Sequence, residues 1–289
     1  MLYGALEGGG TKMVLAAMDE NGSTAERISI PTESPDKTMP VMIDFYRKHG
    51  VRALGIGNFG PLDLNEKSET YGSITATPKL LWRGYPLLQA FRDALRVPVK
   101  IDTDVNAAAL AEARLGAAKG AESCVYVTVG TGIGGGIIIG GKPVHGLMHP
   151  EVGHALVSPL AGDPMPDGSC PYHKHCLEGM ASGPAIEARW GVSAKELPRD
   201  HPAWVYETEY LAQMCVSLTM FCSPEKIILG GGVMQQAFLF DSIRKRTSEL
   251  LSDYISPLSG SLDDYIVPPG LGIHSGITGA WLLALQACE

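Results

Sequence analysis

The sequence has no apolar run of the roughly 18–20 residues that a membrane-spanning helix needs. Lys and Arg are outnumbered, 23 against 31 Asp and Glu, and the formal net charge is −8. Such a chain lacks the clustered positive charge with which proteins bind nucleic acid. Its first residues also show no basic region followed by an apolar core, as an export signal would. We therefore expect a cytoplasmic protein that binds neither membranes nor nucleic acid.

Cysteine is scarce, with six in 289 residues. In a reducing compartment such thiols serve as buried side chains or metal ligands rather than disulfides. Four of the six stand in apolar surroundings and are predicted to be core residues. These four are Cys124, Cys215, Cys222 and Cys288. The other two lie close together in a short segment that also contains histidines.

That segment has the composition of a zinc site. Cys170, His173 and Cys176 recur at every third position, and His154 lies upstream. Two thiolates and two imidazoles are a set that tetrahedral zinc accepts, and His175 could replace His173 in it. The alternative is a pair of buried free thiols beside surface histidines. Structural zinc contributes on the order of 10 kcal/mol to local folding, which would be ample to fix this loop-like segment.

The chain also lacks a Walker Gly-Lys-Ser/Thr sequence and a Gly-x-Gly-x-x-Gly turn that opens a helix. It has instead three glycine clusters, at residues 8–10, 130–136 and 230–232. A predicted strand, Val125–Val129, runs into the second cluster, and Ile137–Ile139 resumes as strand. Glycine lets backbone N–H groups approach an anion, so this turn can wrap a phosphate, although a plain hairpin is the alternative. The third cluster suits a flat purine or is a simple tight turn.

The first glycine cluster is predicted to join two strands, Leu2–Leu6 and Met13–Met18, in a hairpin. Its turn presents Thr11 and Lys12, whose hydroxyl and ammonium groups can hold terminal phosphates. Glu7 can hold Mg²⁺ through water. The alternative for Lys12 is an ordinary solvated lysine.

Acidic and amide side chains follow another predicted strand, Val97–Ile101. Asp104 and Asn106 stand between it and an alanine-rich helix over Ala107–Lys119. One of the two could simply cap that helix. The carboxyl edge of a sheet is also where α/β proteins bind ligands, so both are candidate site residues. A further helix is predicted over Thr38–His49, with Thr38 as its cap.

Taken together, these motifs resemble the ROK family of sugar kinases, and in particular its bacterial fructokinase branch. In chain order, the residues that carry the resemblance are Gly8-Gly-Gly-Thr-Lys12, Asn58-Phe-Gly-Pro-Leu-Asp63, Thr75-Ala-Thr-Pro-Lys79, Thr103-Asp-Val-Asn106, Gly130-Thr-Gly-Ile-Gly-Gly-Gly136, Glu151-Val-Gly-His154, Cys170-Pro-Tyr-His-Lys-His-Cys176 and Gly230-Gly-Gly-Val233. Two positions depart from the common family pattern. Glu7 stands where many members carry Asp, and His173 where most carry Cys.

The resemblance implies an α/β protein with the two-domain actin-like, hexokinase-like ATPase fold and ribonuclease H-like halves. The first domain would comprise residues 1–115, with a C-terminal helix over 277–289 packing back on it. The second would comprise residues 116–276, with a zinc-binding insertion at about 154–178. The family also implies a homodimer.

The activity implied is in-line transfer of the ATP γ-phosphate to a hexose, with Asp104 as general base and Mg²⁺ and Zn²⁺ as cofactors. Fructose, converted to fructose 6-phosphate, is the favoured substrate. The sugar ligands would be Asn106, Glu151, His154 and Glu178. The nucleotide and its phosphates would contact Gly9, Gly10, Thr11, Lys12, Thr131, Gly132, Gly134, Gly231 and Gly232. Zinc would be held by His154, Cys170, His173 and Cys176.

Two alternatives remain at this point. One is a kinase for glucose, mannose or N-acetylmannosamine. The other is a non-catalytic sugar-sensing regulator, because some relatives are repressors with a helix-turn-helix ahead of the kinase region. Asp104 and Lys12 argue against that second role, and no such DNA-reading element is expected here.

Overall fold

A computed structural model describes residues 1–77 and 79–289, and it places the first five strands in one sheet. These strands are β1 (Tyr3–Gly8), β2 (Lys12–Met18), β3 (Thr24–Pro31), β4 (Leu54–Asn58) and β5 (Val99–Thr103). The sheet order is β3-β2-β1-β4-β5, with β1 antiparallel to β2 and parallel to β4. The predicted N-terminal hairpin is therefore confirmed. Pro78, within the Thr75–Lys79 motif, lies outside the described residues.

A second sheet repeats this arrangement. Its strands are β6 (Cys124–Val129), β7 (Ile133–Ile139), β8 (Lys142–Pro143), β9 (Lys226–Gly230) and β10 (Ile266–Val267). The order is β10-β9-β6-β7-β8, with β6 antiparallel to β7 and parallel to β9. Each sheet thus starts with a hairpin and continues with two parallel strands on its other side. The two hairpin turns occupy equivalent positions in the two sheets.

Eight α-helices lie in the described part of the chain. They are α1 (Pro35–His49), α2 (Leu87–Leu95), α3 (Asp104–Leu115), α4 (Leu177–Ala181), α5 (Gly183–Trp190), α6 (Ala203–Cys222), α7 (Leu239–Leu251) and α8 (Ser275–Gln286). The predicted start of the first helix at Thr38 is wrong. Ser34 is the N-cap and Pro35 takes the first position, where the fixed φ of proline suits a helix and its missing N–H costs nothing.

Two other boundaries also differ from prediction. The fifth strand runs two residues later than Val97–Ile101, and α3 begins at Asp104 rather than Ala107. Thr103 supplies the cap, because its Oγ1 accepts a hydrogen bond from the Asn106 N–H at 3.1 Å. Asp104 is therefore the first helical residue, and its carboxyl group is not used as the cap.

Helices α3 and α8 lie side by side between the two sheets. α8 packs on β1 and β4, and α3 packs on β6 and β7. The backbones approach so closely that a Cβ at Gly279 would lie 1.8 Å from the carbonyl oxygen of Ala107. The outer faces of the sheets bury separate apolar clusters, one under α1 and α2 and the other under α4, α6 and α7.

Glu112, fully buried in α3, fixes the relative position of these two central helices. Its carboxylate accepts hydrogen bonds from the N–H groups of Gly270 and Leu271, at 2.9 and 3.0 Å, and from Ser275 Oγ at 2.6 Å. Hydrogen bonds to a charged group are among the stronger ones in proteins. The start of α8 is therefore tied directly to α3.

The cysteine prediction needs one correction. Cys124 and Cys215 are buried and Cys222 is partly buried, but Cys288 is exposed near the end of the chain. Apolar neighbours in sequence did not bury it, because it follows the last turn of α8. In the described residues, no helix combines the length and the apolar character required to span a lipid bilayer.

Candidate active site

Asp104 lies at the carboxyl edge of the first sheet, as the first residue of α3. Its Oδ1 accepts a hydrogen bond from the Val105 N–H at 3.0 Å. Burial nevertheless dominates and raises the pKa of Asp104 to about 6. A carboxyl group with a pKa close to neutrality is suited to proton transfer.

Glu7, on β1, points its carboxyl group toward the start of α8 and the charge of Asp104. A Cβ placed on Gly276 would lie 2.7 Å from Glu7 Oε1, so β1 and the start of α8 are in contact there. The pKa of Glu7 is raised, mainly by burial and further by Asp104. Its buried Oε2 has no hydrogen-bond partner among the described residues. A buried, unpartnered carboxylate oxygen suits Mg²⁺ or a water bound to it, so this residue fits the predicted cation.

Two further glutamates complete an acidic group around Asp104. Glu178, at the start of α4, accepts a hydrogen bond from the Ile133 N–H at 2.9 Å, which ties α4 to the β6–β7 turn. Burial raises the pKa of Glu151 to about 7, with added repulsion from Glu178 and then Asp104. The carboxyl groups of Glu178 and Asp104 therefore both lie within electrostatic range of Glu151. Around neutral pH, Glu151 can donate a hydrogen bond as well as accept one.

The four predicted zinc ligands converge. His154 Nδ1 lies 3.8 Å from Cys176 Sγ and 4.0 Å from Cys170 Sγ, and Cys170 Sγ lies 3.9 Å from His173 Nδ1. All four ligand atoms lie within 4.8 Å of one another. Tetrahedral Zn–S and Zn–N bonds would place such atoms about 3.5 Å apart, so a small contraction would complete the site. The residues present therefore fit zinc.

His175 is not part of that group. Its backbone has a φ of +58°, and its Nδ1 lies 2.6 Å from the carbonyl oxygen of Pro166. The ring is thereby directed away from the cluster, which favours His173 over His175 as the ligand.

The second glycine turn is shorter than the sequence suggested. Only Gly130, Thr131 and Gly132 lie between β6 and β7, and the predicted turn residues 134–136 belong to β7. Gly134 and Gly136 allow α3 to approach the sheet, because a Cβ at Gly134 would lie 3.1 Å from Val105 Cγ1 and one at Gly136 would lie 2.1 Å from the Val105 carbonyl oxygen. Packing therefore explains Gly134 without any phosphate.

Glycines from the second and third clusters and from the start of α5 come together. The N–H of Gly183, at the start of α5, donates to the Gly130 carbonyl at 2.8 Å, and the Gly232 nitrogen would lie 3.9 Å from a Cβ at Gly130. Gly231 has a φ of +93°, and a Cβ there would lie 2.4 Å from the Val129 carbonyl oxygen. Bare backbone from three elements thus lines one surface, as a nucleotide site requires.

The first glycine turn leaves its polar side chains free. Gly10 and Gly9 form the turn, with the Gly9 N–H donating to the Lys12 carbonyl at 2.9 Å, while Thr11 and Lys12 are exposed. Lys79 reaches the same turn, and its Cε would lie 3.6 Å from a Cβ at Gly10. The sequence showed Lys79 within a motif but gave no sign that it meets this turn, because the two are far apart along the chain.

Asn106 contacts Asp102 from the first turn of α3. It is fully buried, and its Nδ2 donates a hydrogen bond to Asp102 Oδ1 at 2.7 Å. The role of Asn106 as a sugar ligand stays a prediction: its Nδ2 holds Asp102, two residues before the candidate base, and its buried Oδ1 has no hydrogen-bond partner among the described residues. Spacing alone could not separate these roles, since both put the residue in the first turn of α3.

Two histidines that the sequence analysis did not single out join the two halves of the protein. Both lie in the segment after β8. His145 Nε2 lies 3.0 Å from Asp102 Oδ2 at the end of β5, and this carboxylate raises the pKa of His145. His149 contacts the loop after β4. The only local signal was their position just before Glu151.

The comparisons with known proteins identify the family of the chain. The profile of the ROK family matches residues 3–287. The chain is 47% identical over 290 residues to a putative fructokinase of Bacillus subtilis (strain 168), covering 100% of this chain and 97% of the relative. It is 46% identical over 291 residues to a fructokinase of Pediococcus pentosaceus, covering 100% and 99%.

Solved structures show the same fold. A ROK hexokinase from Thermus thermophilus matches with a TM-score of 0.80 at 29% identity, covering 100% of this chain and 99% of that one. A ROK family glucokinase from Streptomyces griseus, in complex with glucose and AMPPNP, matches with a TM-score of 0.76 at 26% identity, covering 99% and 100%. The predicted α/β, two-domain actin-like fold is confirmed.

Proposed function

Because the chain belongs to the ROK family and is a sugar kinase, we propose that it transfers the γ-phosphate of ATP to D-fructose and forms fructose 6-phosphate. The observation that carries fructose is the similarity, over essentially the whole chain, to proteins named fructokinase. The grouping of carboxylates between two glycine turns supplies the chemistry.

Asp104 would act as the general base. Its ionised carboxylate would accept the proton of the attacking sugar hydroxyl as the new P–O bond forms. General-base catalysis of this kind contributes about 10²–10⁴-fold to the rate. The position of Asp104 at the first turn of α3, fixed by the Thr103 cap, keeps the carboxylate at the sheet edge.

The two glycine turns would hold the phosphates from opposite sides. Lys12 and Lys79 bring positive charge to the first turn, and the second offers the N–H groups of Thr131 and Gly132. Phosphoryl transfer depends on such positioning and charge neutralisation rather than on covalent chemistry by the protein. Mg²⁺, when bound, would neutralise phosphate charge, with Glu7 as the residue best suited to hold it.

The sugar would lie against Glu151, Glu178 and His154. Because His154 Nδ1 faces the two thiolates, its Nε2 remains available to a substrate hydroxyl. Zinc, when bound, would fix the segment that carries His154 and Glu178. Asn106 also belongs to the predicted set; its Nδ2 donates to Asp102 Oδ1, and its buried Oδ1 has no hydrogen-bond partner among the described residues.

We also propose that the enzyme is a cytoplasmic homodimer. ATP, the phosphoryl donor, supports the compartment, and family resemblance supports the dimer. The domain limits at about residues 115 and 276 are likewise proposed, and they agree with the division of the strands between the two sheets.

A substrate panel tests the proposed function. ADP release is measured with ATP and fructose, glucose, mannose or N-acetylmannosamine, and the product is assigned by ³¹P and ¹³C NMR. We expect the highest kcat/KM for fructose, with phosphate on carbon 6. A preference for another hexose would identify a different sugar kinase. Sugar-independent ADP release would contradict the proposal altogether.

The pH dependence of kcat provides a second test. Asp104 must be ionised to accept a proton, and its pKa is raised from 3.8 to about 6. Activity should therefore be present above pH 6 and fall as the pH drops through that value. At pH 5, kcat should be about one tenth of its plateau, whereas an ordinary aspartate would still give about nine tenths. A profile that stays flat down to pH 5 would contradict the raised pKa.

A further inference from the structure

His149 connects the two halves of the protein at the candidate sugar site. It is 5% exposed, and its Nε2 accepts a hydrogen bond from the Leu62 N–H at 3.1 Å. Leu62 belongs to the loop after β4, in the first half, whereas His149 follows β8 in the second. The ring also packs on Gly60, where a Cβ would lie 3.3 Å from its Cε1. The imidazole is thus held tightly against that loop.

This hydrogen bond determines the tautomer of the ring. A nitrogen that accepts from a backbone N–H carries no proton, so a neutral His149 must carry its proton on Nδ1. The ring is neutral because burial lowers the pKa of His149. Nδ1 lies 3.5 Å from Glu151 Oε1, which is a long contact, and the ring also hydrogen-bonds the backbone of Pro150, so its proton-bearing side faces the Pro150–Glu151 segment.

Among the described residues, no other basic side chain contacts the carboxyl group of Glu151. In the part of the chain that the structure describes, His149 is the one histidine, lysine or arginine within ion-pair distance of its carboxyl group. The backbone of Glu151 is fixed separately, because its carbonyl oxygen accepts a hydrogen bond from the His154 N–H at 3.0 Å. The direction of its side chain therefore depends on His149, and through it on the loop after β4.

We infer that His149 is a positioning residue for the sugar: anchored on the Leu62 N–H, it directs Nδ1–H at Glu151 and holds that carboxyl group in its substrate-binding orientation. The inference rests on the proposed function, because it takes Glu151 as a sugar ligand. It adds a residue that affects sugar specificity and that depends on a contact between the two halves of the protein. A hexose would bind well only when the segment 145–151 keeps its contact with the loop after β4.

Two substitutions separate the effect of the hydrogen bond from the Leu62 N–H from the effect of the volume of the ring. His149→Phe keeps a ring of similar size but removes both nitrogens. His149→Gln places an amide oxygen near the position of Nε2, where it can still accept from the Leu62 N–H. We expect His149→Phe to raise the KM for fructose by about 10–100-fold, as a displaced binding group does, with the KM for ATP changed less than about twofold. His149→Gln should recover at least half of that loss on a logarithmic scale.

A matched control is His201→Asn. His201 Nδ1 also accepts a backbone N–H, from Ala203 at 3.1 Å, but it does so at the start of α6, outside the candidate site. Its kinetic constants should equal those of the wild type. Equal fructose KM values for wild type and His149→Phe would overturn the inference, as would a Gln variant no better than Phe.

The tautomer of His149 can be determined by NMR, independently of any enzymatic assay. In ¹H–¹⁵N spectra of the labelled wild-type protein, with His149→Gln used to assign the signal, Nδ1 should carry the proton and Nε2 should not. A proton on Nε2 would overturn the inference even if the Phe variant did not fold. If instead the wild type failed to phosphorylate fructose while the tautomer was as expected, the proposed function would fail and the anchor would stand.

Discussion

Replacing Asp104 by Asn is expected to lower kcat for sugar phosphorylation by about 10²–10⁴-fold, the usual contribution of a general base. Asn has the same shape as Asp and can still accept the Val105 N–H, so α3 should begin as before. It cannot take a proton from the sugar. Fructose binding, measured by calorimetry without nucleotide, should therefore remain within about threefold of the wild type while turnover is lost.

The control for this substitution is Asp44→Asn, since Asp44 is exposed on α1 and lies outside the candidate site. Its kcat and melting temperature should match those of the wild type. If Asp104→Asn retained full turnover, Asp104 would not be the base. Weakened sugar binding with unchanged turnover of the bound sugar would instead make it a ligand only.

Much of the framework could be read from the sequence because glycine clusters and alternating apolar residues are local signals. The N-terminal hairpin and the strand Val125–Val129 both formed where predicted. Boundaries failed where a proline in the first turn or a side-chain cap decided them. Ser34 with Pro35 and Thr103 both started helices that hydrophobic periodicity placed three residues later.

The second glycine cluster shows why a motif does not assign a role to each of its residues. Gly130 and Gly132 bound a turn, whereas Gly134 and Gly136 lie in a strand against which α3 packs. Glycine serves both purposes for the same reason, because the absence of a side chain lets another group approach the backbone closely. Only the three-dimensional structure shows whether that partner is a helix or the space left for a ligand.

The candidate site was predicted where its residues follow strand ends and missed where it depends on contacts between distant segments. Asp104 and Glu151 stood in recognisable motifs. The contacts of Lys79 with the first turn and of His149 with Leu62 join segments about 70 and 87 residues apart, a separation at which no sequence period operates. The contact of Asn106 with Asp102 could not be predicted either, because spacing gives no side-chain direction in the first turn of α3.

Removal of the proposed zinc is expected to have the second large effect on sugar phosphorylation. Cys176 caps α4 through its Sγ, which accepts from the Gly179 N–H at 3.4 Å, and α4 carries Glu178, whose carboxylate holds the Ile133 N–H. A metal bound at Cys176 would therefore stabilise the β6–β7 turn as well as its own loop. Structural zinc is worth on the order of 10 kcal/mol, more than this short segment could replace by packing.

We expect chelation to abolish sugar phosphorylation, and zinc but not Mg²⁺ to restore it. Hydrogen exchange should then speed up over residues 154–178, while the central strands β6 and β9 stay protected.

The two neighbouring histidines offer a matched pair for this experiment. His173→Ala should lose bound zinc, measured by elemental analysis, together with activity, because the ring nitrogen of His173 lies in the cluster. His175→Ala should keep both, because that ring turns toward Pro166. The exposed Cys288→Ser variant should likewise keep its zinc, as a control for thiol loss. A metal-free protein with full activity would show that the cluster does not support the sugar site, since α4 would then position Glu178 by its own packing.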